Sequence, residues 1–235
     1  MTMKFDPLND GISSVELLTH MGDDLMVVNA ARVSMAKESA WAYSDELGLE
    51  LELAGRDKKL IKYLATHNHW TPFSHPQVQL RIKMPIFVAR QWFKHMIGFT
   101  RNEVSRRYVD DTPEFFVPKE WRCRAENVKQ GSSDEIHPVS HIMSKDFALL
   151  VKGSLDLYEE LLASNVAPEQ ARMVLPQSMY TEFIETGSLA AYARLAGLRL
   201  DSHAQKEIRD YASAVDSILS NLFPVSWEAL QGGAA

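Results

Sequence analysis

This sequence predicts a single α/β (α+β) domain, on three observations. Val78, Leu80, Ile82 and Met84 alternate with Gln77, Gln79, Arg81 and Lys83, the period of a half-buried strand. Apolar residues at helical spacing recur along the chain, in 47–67 through Leu53, Leu60 and Leu64, and again in 142–162 and 204–222. At 235 residues, 46% hydrophobic and 24% charged, the chain suits one domain with an ordinary core. No linker interrupts it, so the domain is expected over 1–230, with Gln231 opening a disordered tail over 231–235.

Taken in order, residues 15–18 read as a strand and 24–31 as a helix. The helix over 47–67 carries Lys58, Lys59 and Lys62 on its outside, and Gly55 weakens it locally. After the strand at 77–84, Pro85 suits the first turn of a helix. Val88, Trp92 and Met96 give that helix an apolar stripe, Gln91, Lys94 and His95 a polar edge, and Gly98 its end. Residues 101–108 are expected to be extended. Residues 109–134 read as irregular, broken at Pro113, Pro118 and Gly131 and anchored by Phe115, Phe116 and Trp121. The helix over 142–162 reads as a buried element through Leu150, Val151, Tyr158 and Leu161. A short helix lies within 167–176, a strand over 179–186, and a helix over 188–197 that Gly187 starts. The last helix, 204–222, is expected to stop at Pro224.

Composition excludes several classes. The N-terminal Met-Thr-Met-Lys-Phe-Asp has no apolar core and no run could cross a bilayer, so a cytoplasmic protein without a membrane partner is expected. Cys123 is the lone cysteine, which rules out a disulfide framework. His67, His69 and His75 cluster without an acidic or thiol partner, and His137 and His141 share one turn only, so no metal is expected.

A basic strip carries the functional signal. Arg90, Lys94, Arg101, Arg106 and Arg107 fall close together in a chain of formal charge -6. Such a strip either faces an anion or forms a solvated basic edge. If it is extended, Ser105 and Arg107 project together, and a hydroxyl beside a guanidinium can hold a phosphate.

The strip resembles the signature of the flavin-dependent thymidylate synthases, the ThyX family: Arg-His-Arg, seven residues and Ser, inside an Arg-Gln-Trp … Asn-Glu-x-Ser-x-Arg-Tyr frame. Arg90-Gln91-Trp92 and Asn102-Glu103-Val104-Ser105-Arg106-Arg107-Tyr108 match the frame. Lys94-His95-Met96 replaces the triplet, and eight residues separate Met96 from Ser105. Six further stretches are similar to the family. His69, Thr71, Pro72, Phe73 and His75 match His-x-Thr-Pro-Phe-Glu-His, with Ser74 in place of the acid. Ala31-Arg32-Val33-Ser34, Trp121-Arg122 and Lys129-Gln130-Gly131-Ser132 also match. Arg172 falls in an Ala-Arg…Leu-Pro pattern, and Leu198-Arg199-Leu200-Asp201-Ser202-His203-Ala204-Gln205 matches a second anchor nearly a hundred residues from the first.

The resemblance implies a ThyX-like mixed sheet flanked by helices, a homotetramer with sites shared between chains, and FAD, with NADPH and methylenetetrahydrofolate as co-substrates. It implies dUMP as substrate, held by Gln91, Lys94, Glu103, Val104, Ser105, Arg106, Arg107, Arg172 and Arg199. Ser34, Thr71, Lys94, His95, Met96, Ile97, Glu103, Ser188, Ala190 and Arg194 would line the flavin, although Ala190 lacks the arginine common there. Among catalytic positions, Arg199 would polarise the pyrimidine, Ser105 would position the nucleotide, and His69 would lie at the pyrimidine and folate face.

The residue inventory agrees with a flavin route. One-carbon transfer to C5 of uracil needs a nucleophilic C5, which a thiolate can create by adding to C6. Only Cys123 could do so, and it matches no catalytic motif; arginines that stabilise charge developing on the ring are plentiful. A hydroxymethyl transfer at the same site is the near alternative, and a nucleic-acid-binding strip the remote one, disfavoured by the acidic total.

Overall fold

Val78, Leu80, Ile82 and Met84 all point into the core with no exposed surface, as their alternation requires. The computed structural model describes residues 3–43, 51–109, 111–126 and 131–232. Its strands are β1 (Lys4–Phe5), β2 (Ser14–Met21), β3 (Ala42–Tyr43), β4 (Leu51–Glu52), β5 (Gln77–Pro85), β6 (Phe99–Glu103), β7 (Arg122–Arg124), β8 (Ser132–Ile136) and β9 (Tyr180–Ser188). Its helices are α1 (Asp24–Arg32), α2 (Gly55–Thr66), α3 (Ile86–Trp92), α4 (Ser140–Ala163), α5 (Pro168–Ala171), α6 (Leu189–Arg199), α7 (Lys206–Leu222) and α8 (Pro224–Gly232). None of these helices is long and apolar enough to cross a membrane.

The central sheet has the order β1-β2-β5-β9-β6, and every pairing in it is antiparallel rather than mixed. Helices cover one face, where Tyr192, Leu195, Tyr211, Val215, Ile218 and Trp227 join the buried side of β5. Arg81 and Glu182 mark the opposite, solvated face. α7 packs on the sheet because Ile208, Tyr211, Ala212, Val215, Ile218 and Leu219 fall on one helical stripe. α8 continues the chain where a stop at Pro224 was expected, since proline is well placed in a helix's first turn.

Several boundaries depart from the sequence reading. α2 begins at Gly55, so this glycine sits at the helix start, Leu51 and Glu52 belong to a short strand, and residues 47–50 of the expected helix lie outside the described residues. Pro85 ends β5 and caps α3 instead of entering its first turn. α3 stops at Trp92, and Met96, expected on its apolar stripe, is 73% exposed. Gly98 ends no helix; at φ +82 it makes the turn into β6, a conformation that favours glycine. β6 ends at Glu103, so the extended run expected through Tyr108 gives way to a turn. The irregular 109–134 region contains the β7–β8 hairpin, with Lys129 and Gln130 of the family-like stretch outside the described residues. Of its three expected anchors, Phe116 packs on Phe87 and Trp121 edge-on to Phe147, while Phe115 is tied by a backbone bridge to Met179. Gly187 lies inside β9, one residue before the cap of α6, because a Cβ there would meet the Phe99 ring at 2.5 Å and Tyr192 at 2.9 Å. α4 is only partly buried: Val151 and Tyr158 face inward, but Leu150, with Ile142, Leu149 and Leu157, faces solvent. Gln231 and Gly232, read as the start of a tail, finish α8, and 233–235 lie outside the described residues.

Arg101 leaves the basic strip. It pairs across β6–β9 with Glu185, whose side chain is wholly buried on the core face and also accepts from Trp92 Nε1 at 3.1 Å. The guanidinium lies over the Phe99 ring at 4.7 Å and the Phe93 ring at 5.3 Å. Burial pushes the Glu185 carboxyl up, and the charge and hydrogen bond of Arg101 oppose that shift.

Candidate functional site

The turn that ends β6 and the short helical segment after α5 build a cleft of about 470 Å³. Glu103, Val104, Ser105, Arg106 and Arg107 form one wall, Arg172 and Met173 another, and Tyr180 and Thr181 of β9 line it as well. Ser105 and Arg107 do lie together, with Arg107 Nε 3.3 Å from Ser105 Oγ, though a turn and not strand alternation brings them there. Arg106 donates to the carbonyl of Asp111, and Arg172 Nε to that of Glu169 at 3.4 Å. None of the three guanidiniums has a carboxylate within 4.0 Å among the described residues, whereas Arg101, Arg122 and Arg32 do. Glu103, the cleft's own acid, accepts from Thr181 Oγ1 at 2.5 Å. Uncompensated cations around a cleft with a hydroxyl at its wall suit a phosphate.

A second group forms where α3 meets the end of α6. Arg199 Nε donates to His95 Nε2 at 2.9 Å and its Nη2 to the Gln91 carbonyl at 3.2 Å. His95 must therefore be neutral, with its proton on Nδ1. Burial, and then the charges of Arg199, Arg101 and Arg194, hold it down at about 4. Burial also lowers Arg199, which stays charged. Because the unfolded imidazole titrates near 6.5, the unfolded chain takes up the proton first as pH falls. The stability from neutral His95 is thus present above about 6.5 and lost toward 4. Thermal melts at pH 7 and pH 4.5 are expected to differ less for His95→Gln than for the unmodified protein.

Of the expected flavin residues, Thr71, Ile97, Ser188, Ala190 and Arg194 come together along the first half of α6, whereas His95 stands with Arg199 at its end and Glu103 lines the cleft. The turn Thr71–Ser74 packs against both α1 and α6, with Ser34 just beyond α1. Gly98 closes onto Ser188 through a 3.2 Å hydrogen bond, and Arg194 Nη2 holds the Ile97 carbonyl at 2.6 Å. Met96 and Ile97 are exposed, as are Lys94 and Arg194, neither with a carboxylate partner among the described residues. Ser188 and Ala190, by contrast, are buried; the Ser188 hydroxyl caps α6 by accepting from Ala191 N. His69 is exposed and stacks beside Tyr63 with His67. Cys123 lies half-buried in β7 and lines neither the cleft nor the Arg199 group.

Sequence reasoning assigned no role to Gln205, Glu207 or Arg122. Gln91 Nε2 donates to Gln205 Oε1 at 2.6 Å, and Gln205 Nε2 to Glu207 Oε2 at 2.8 Å. Arg122 Nη2 donates to Glu207 Oε1 at 2.8 Å. Gln205 sits in a motif that was read, so its partner could have been sought; Glu207, in the first turn of α7, gives no signal of its own.

The chain is similar to several known proteins. The family described as thymidylate synthase complementing protein matches residues 16–225. A flavin-dependent thymidylate synthase of Thermosipho africanus is 37% identical over 97% of this chain and 93% of the relative. One of Thermotoga neapolitana is 37% identical over 97% and 94%. Among solved structures, a UMP/dUMP methylase, PolB, from Streptomyces cacaoi bound with 5-Br dUMP superposes with a TM-score of 0.80 at 29% identity, covering 95% of this chain and 97% of that one.

Proposed function

Because the chain belongs to the thymidylate synthase complementing protein family, we propose that it converts dUMP to dTMP by reductive methylation, with methylenetetrahydrofolate as carbon donor, FAD as cofactor and NADPH as reductant. The observation that carries this is the cleft where Ser105, Arg106, Arg107 and Arg172 meet, none of the three guanidiniums having a carboxylate within 4.0 Å among the described residues. It suits a nucleotide phosphate, whereas a nucleic-acid strip would present its cations along one open face. Relatives named as thymidylate synthases favour a methyl over a hydroxymethyl product.

The residues fit a flavin. Lys94 and Arg194 offer charges for a diphosphate, Met96 and Ile97 offer apolar surface, and the turn that carries Thr71 packs on α6, which carries Arg194. Bound there, reduced FAD supplies the reducing equivalents. The chain's own residues do the rest. Arg107, Arg172 and Ser105 hold the phosphate, and Gln91 and Arg199 hold the ring. Among the described residues, two of the five N–H groups of Arg199 are committed, to His95 and Gln91, leaving three to stabilise negative charge on the pyrimidine. Neutral His95 accepts from Arg199 and fixes its plane without adding a competing charge.

The same proposal includes a homotetramer with shared sites. The phosphate cleft and the Arg199 group are separate constellations in one chain, and α4 exposes Ile142, Leu149, Leu150 and Leu157. Sedimentation of the purified protein is expected to give four copies; a monomer would remove this part.

Incubating the protein with dUMP, methylenetetrahydrofolate, FAD and NADPH is expected to yield dTMP by mass spectrometry; UMP run in parallel tests whether the ribonucleotide is also taken. No flavin binding and no product would overturn the proposal. Lys94 lacks the planar fork of arginine and Met96 lacks charge, so Met96→Arg is expected to tighten FAD by on the order of 1.5 kcal/mol, the scale of a hydrogen bond to a charged group. A fluorescence titration that gives equal affinities would remove the argument.

A further inference from the structure

A side-chain amide can present either its oxygen or its nitrogen to a neighbour, so the hydrogen-bond chain from Gln91 through Gln205 to Glu207 could in principle run in either sense. The carboxylate at its end decides. An ionised glutamate has no proton to give, so Gln205 must turn its amino group to Glu207 and its carbonyl oxygen to Gln91. Gln91 must then turn its own amino group to Gln205. Its Oε1 is left with no protein donor among the described residues, and that end of the amide can only accept.

Glu207 is well placed to impose this. It is 8% exposed, and Arg122 grips it by Nη2 while the Nε of the same guanidinium donates to Ser132 Oγ at 2.7 Å. Burial opposes its charge, but the hydrogen bonds from Arg122 and Gln205 and the charge of Arg122 outweigh burial and hold the carboxyl below its ordinary range. Gln91 is meanwhile fixed at its backbone by Arg199. Gln91 is thus held through its amino group by Gln205 and through its backbone carbonyl by Arg199, the arginine assigned to the pyrimidine.

We propose that Glu207, held by Arg122 and acting through Gln205, is a positioning residue that sets the base specificity of the site: it turns the Gln91 oxygen toward the ring, so that a pyrimidine with a proton on N3 is accepted and one with a lone pair on N3 is refused. Uracil carries the N3–H; cytosine does not. This inference rests on the dUMP reading above. A polar group built to pair with a substrate N–H is left unpaired by an analogue lacking it, which is the strongest form of discrimination a pocket offers.

The test uses calorimetry of the full chain with FAD, titrated separately with dUMP and dCMP. The unmodified protein is expected to favour dUMP by a hundredfold or more. In Glu207→Gln the new amide can donate to Gln205, the chain can run in reverse, and Gln91 can offer an N–H that suits cytosine. The dUMP-to-dCMP affinity ratio is expected to fall at least tenfold, and KM for dUMP to rise more than kcat falls. Gln205→Met breaks the chain while keeping the Arg122–Glu207 pair, so it guards against misfolding of the first variant, and the same fall in ratio is expected. Mere loss of packing would weaken both ligands alike and leave the ratio unchanged. An unchanged ratio in a folded variant that still binds dUMP, or no preference in the unmodified protein, overturns the relay and leaves the dUMP reading standing. Binding of neither nucleotide by the unmodified protein overturns both.

Discussion

Replacing Arg199 with alanine is expected to lower turnover on dUMP by on the order of a hundredfold or more, the scale of removing one preorganised charge donor from a developing anion. The guanidinium is half-buried, fixed by His95 and by the Gln91 carbonyl, and has three N–H groups uncommitted among the described residues. Rigidity matters as much as charge, because a donor already in place costs no reorganisation when charge forms on the ring. Arg199→Lys keeps the charge but loses the fork to His95 and Gln91, so most of the deficit is expected to remain. Cys123→Ala should keep most activity, since the thiol lines neither constellation. Ser105→Ala should fall between them, as the hydroxyl positions the nucleotide and attacks nothing. Steady-state kinetics with dUMP decide. An inactive but folded Cys123→Ala variant would point to a thiol mechanism, and an Arg199→Ala variant within tenfold of the unmodified protein would remove the electrostatic account.

The strands and helices that were legible were those whose own apolar period matches their burial. β5 could be read residue by residue because one face meets helices and the other solvent. α3 was overextended because Val88, Trp92 and Met96 keep a helical spacing that says nothing of β6, whose pairing to β9 pulls the chain out of the helix beyond Trp92. Antiparallel pairing was not legible at all: strand direction depends on how distant segments return, as when β9 slots between β5 and β6. α4 misled in another way, since apolar residues on two sides of a helix do not say which side this chain itself covers.

The site divides similarly. The cleft residues came from motif matches, and the fold gathers Glu103 to Arg107 with Arg172 although residues 108–171 lie between them. Arg101 was counted with the strip because its inward turn depends on Glu185, placed opposite it by a strand pairing that no local pattern announces. Glu207 was missed for the same reason: its chemistry lies in what it touches across the fold, Arg122 and Gln205, and not in its neighbours along the chain.

Phosphate recognition should be the costliest binding contribution to lose. Arg107→Ala and Arg172→Ala are each expected to weaken dUMP by on the order of 1.5–3 kcal/mol, the scale of a hydrogen bond to a charged group. Both guanidiniums line the same cleft, both are exposed to an incoming ligand, and among the described residues neither has a carboxylate to lose on binding. Arg107 also lies 5.0 Å from the Tyr108 ring, which limits its freedom and lowers the entropy lost when it grips an anion. Arg81 is the control. It lies on the solvated face of the sheet, 3.9 Å from Glu182 in an exposed pair, so Arg81→Ala should change dUMP affinity hardly at all. Calorimetry with dUMP and deoxyuridine separates phosphate contacts from ring contacts: the arginine variants should lose affinity for dUMP and leave deoxyuridine nearly unchanged. If Arg107→Ala weakens both ligands equally, the arginine does not read the phosphate; if duplex DNA binds strongly and salt-sensitively while dUMP does not, the cations serve a polymer instead.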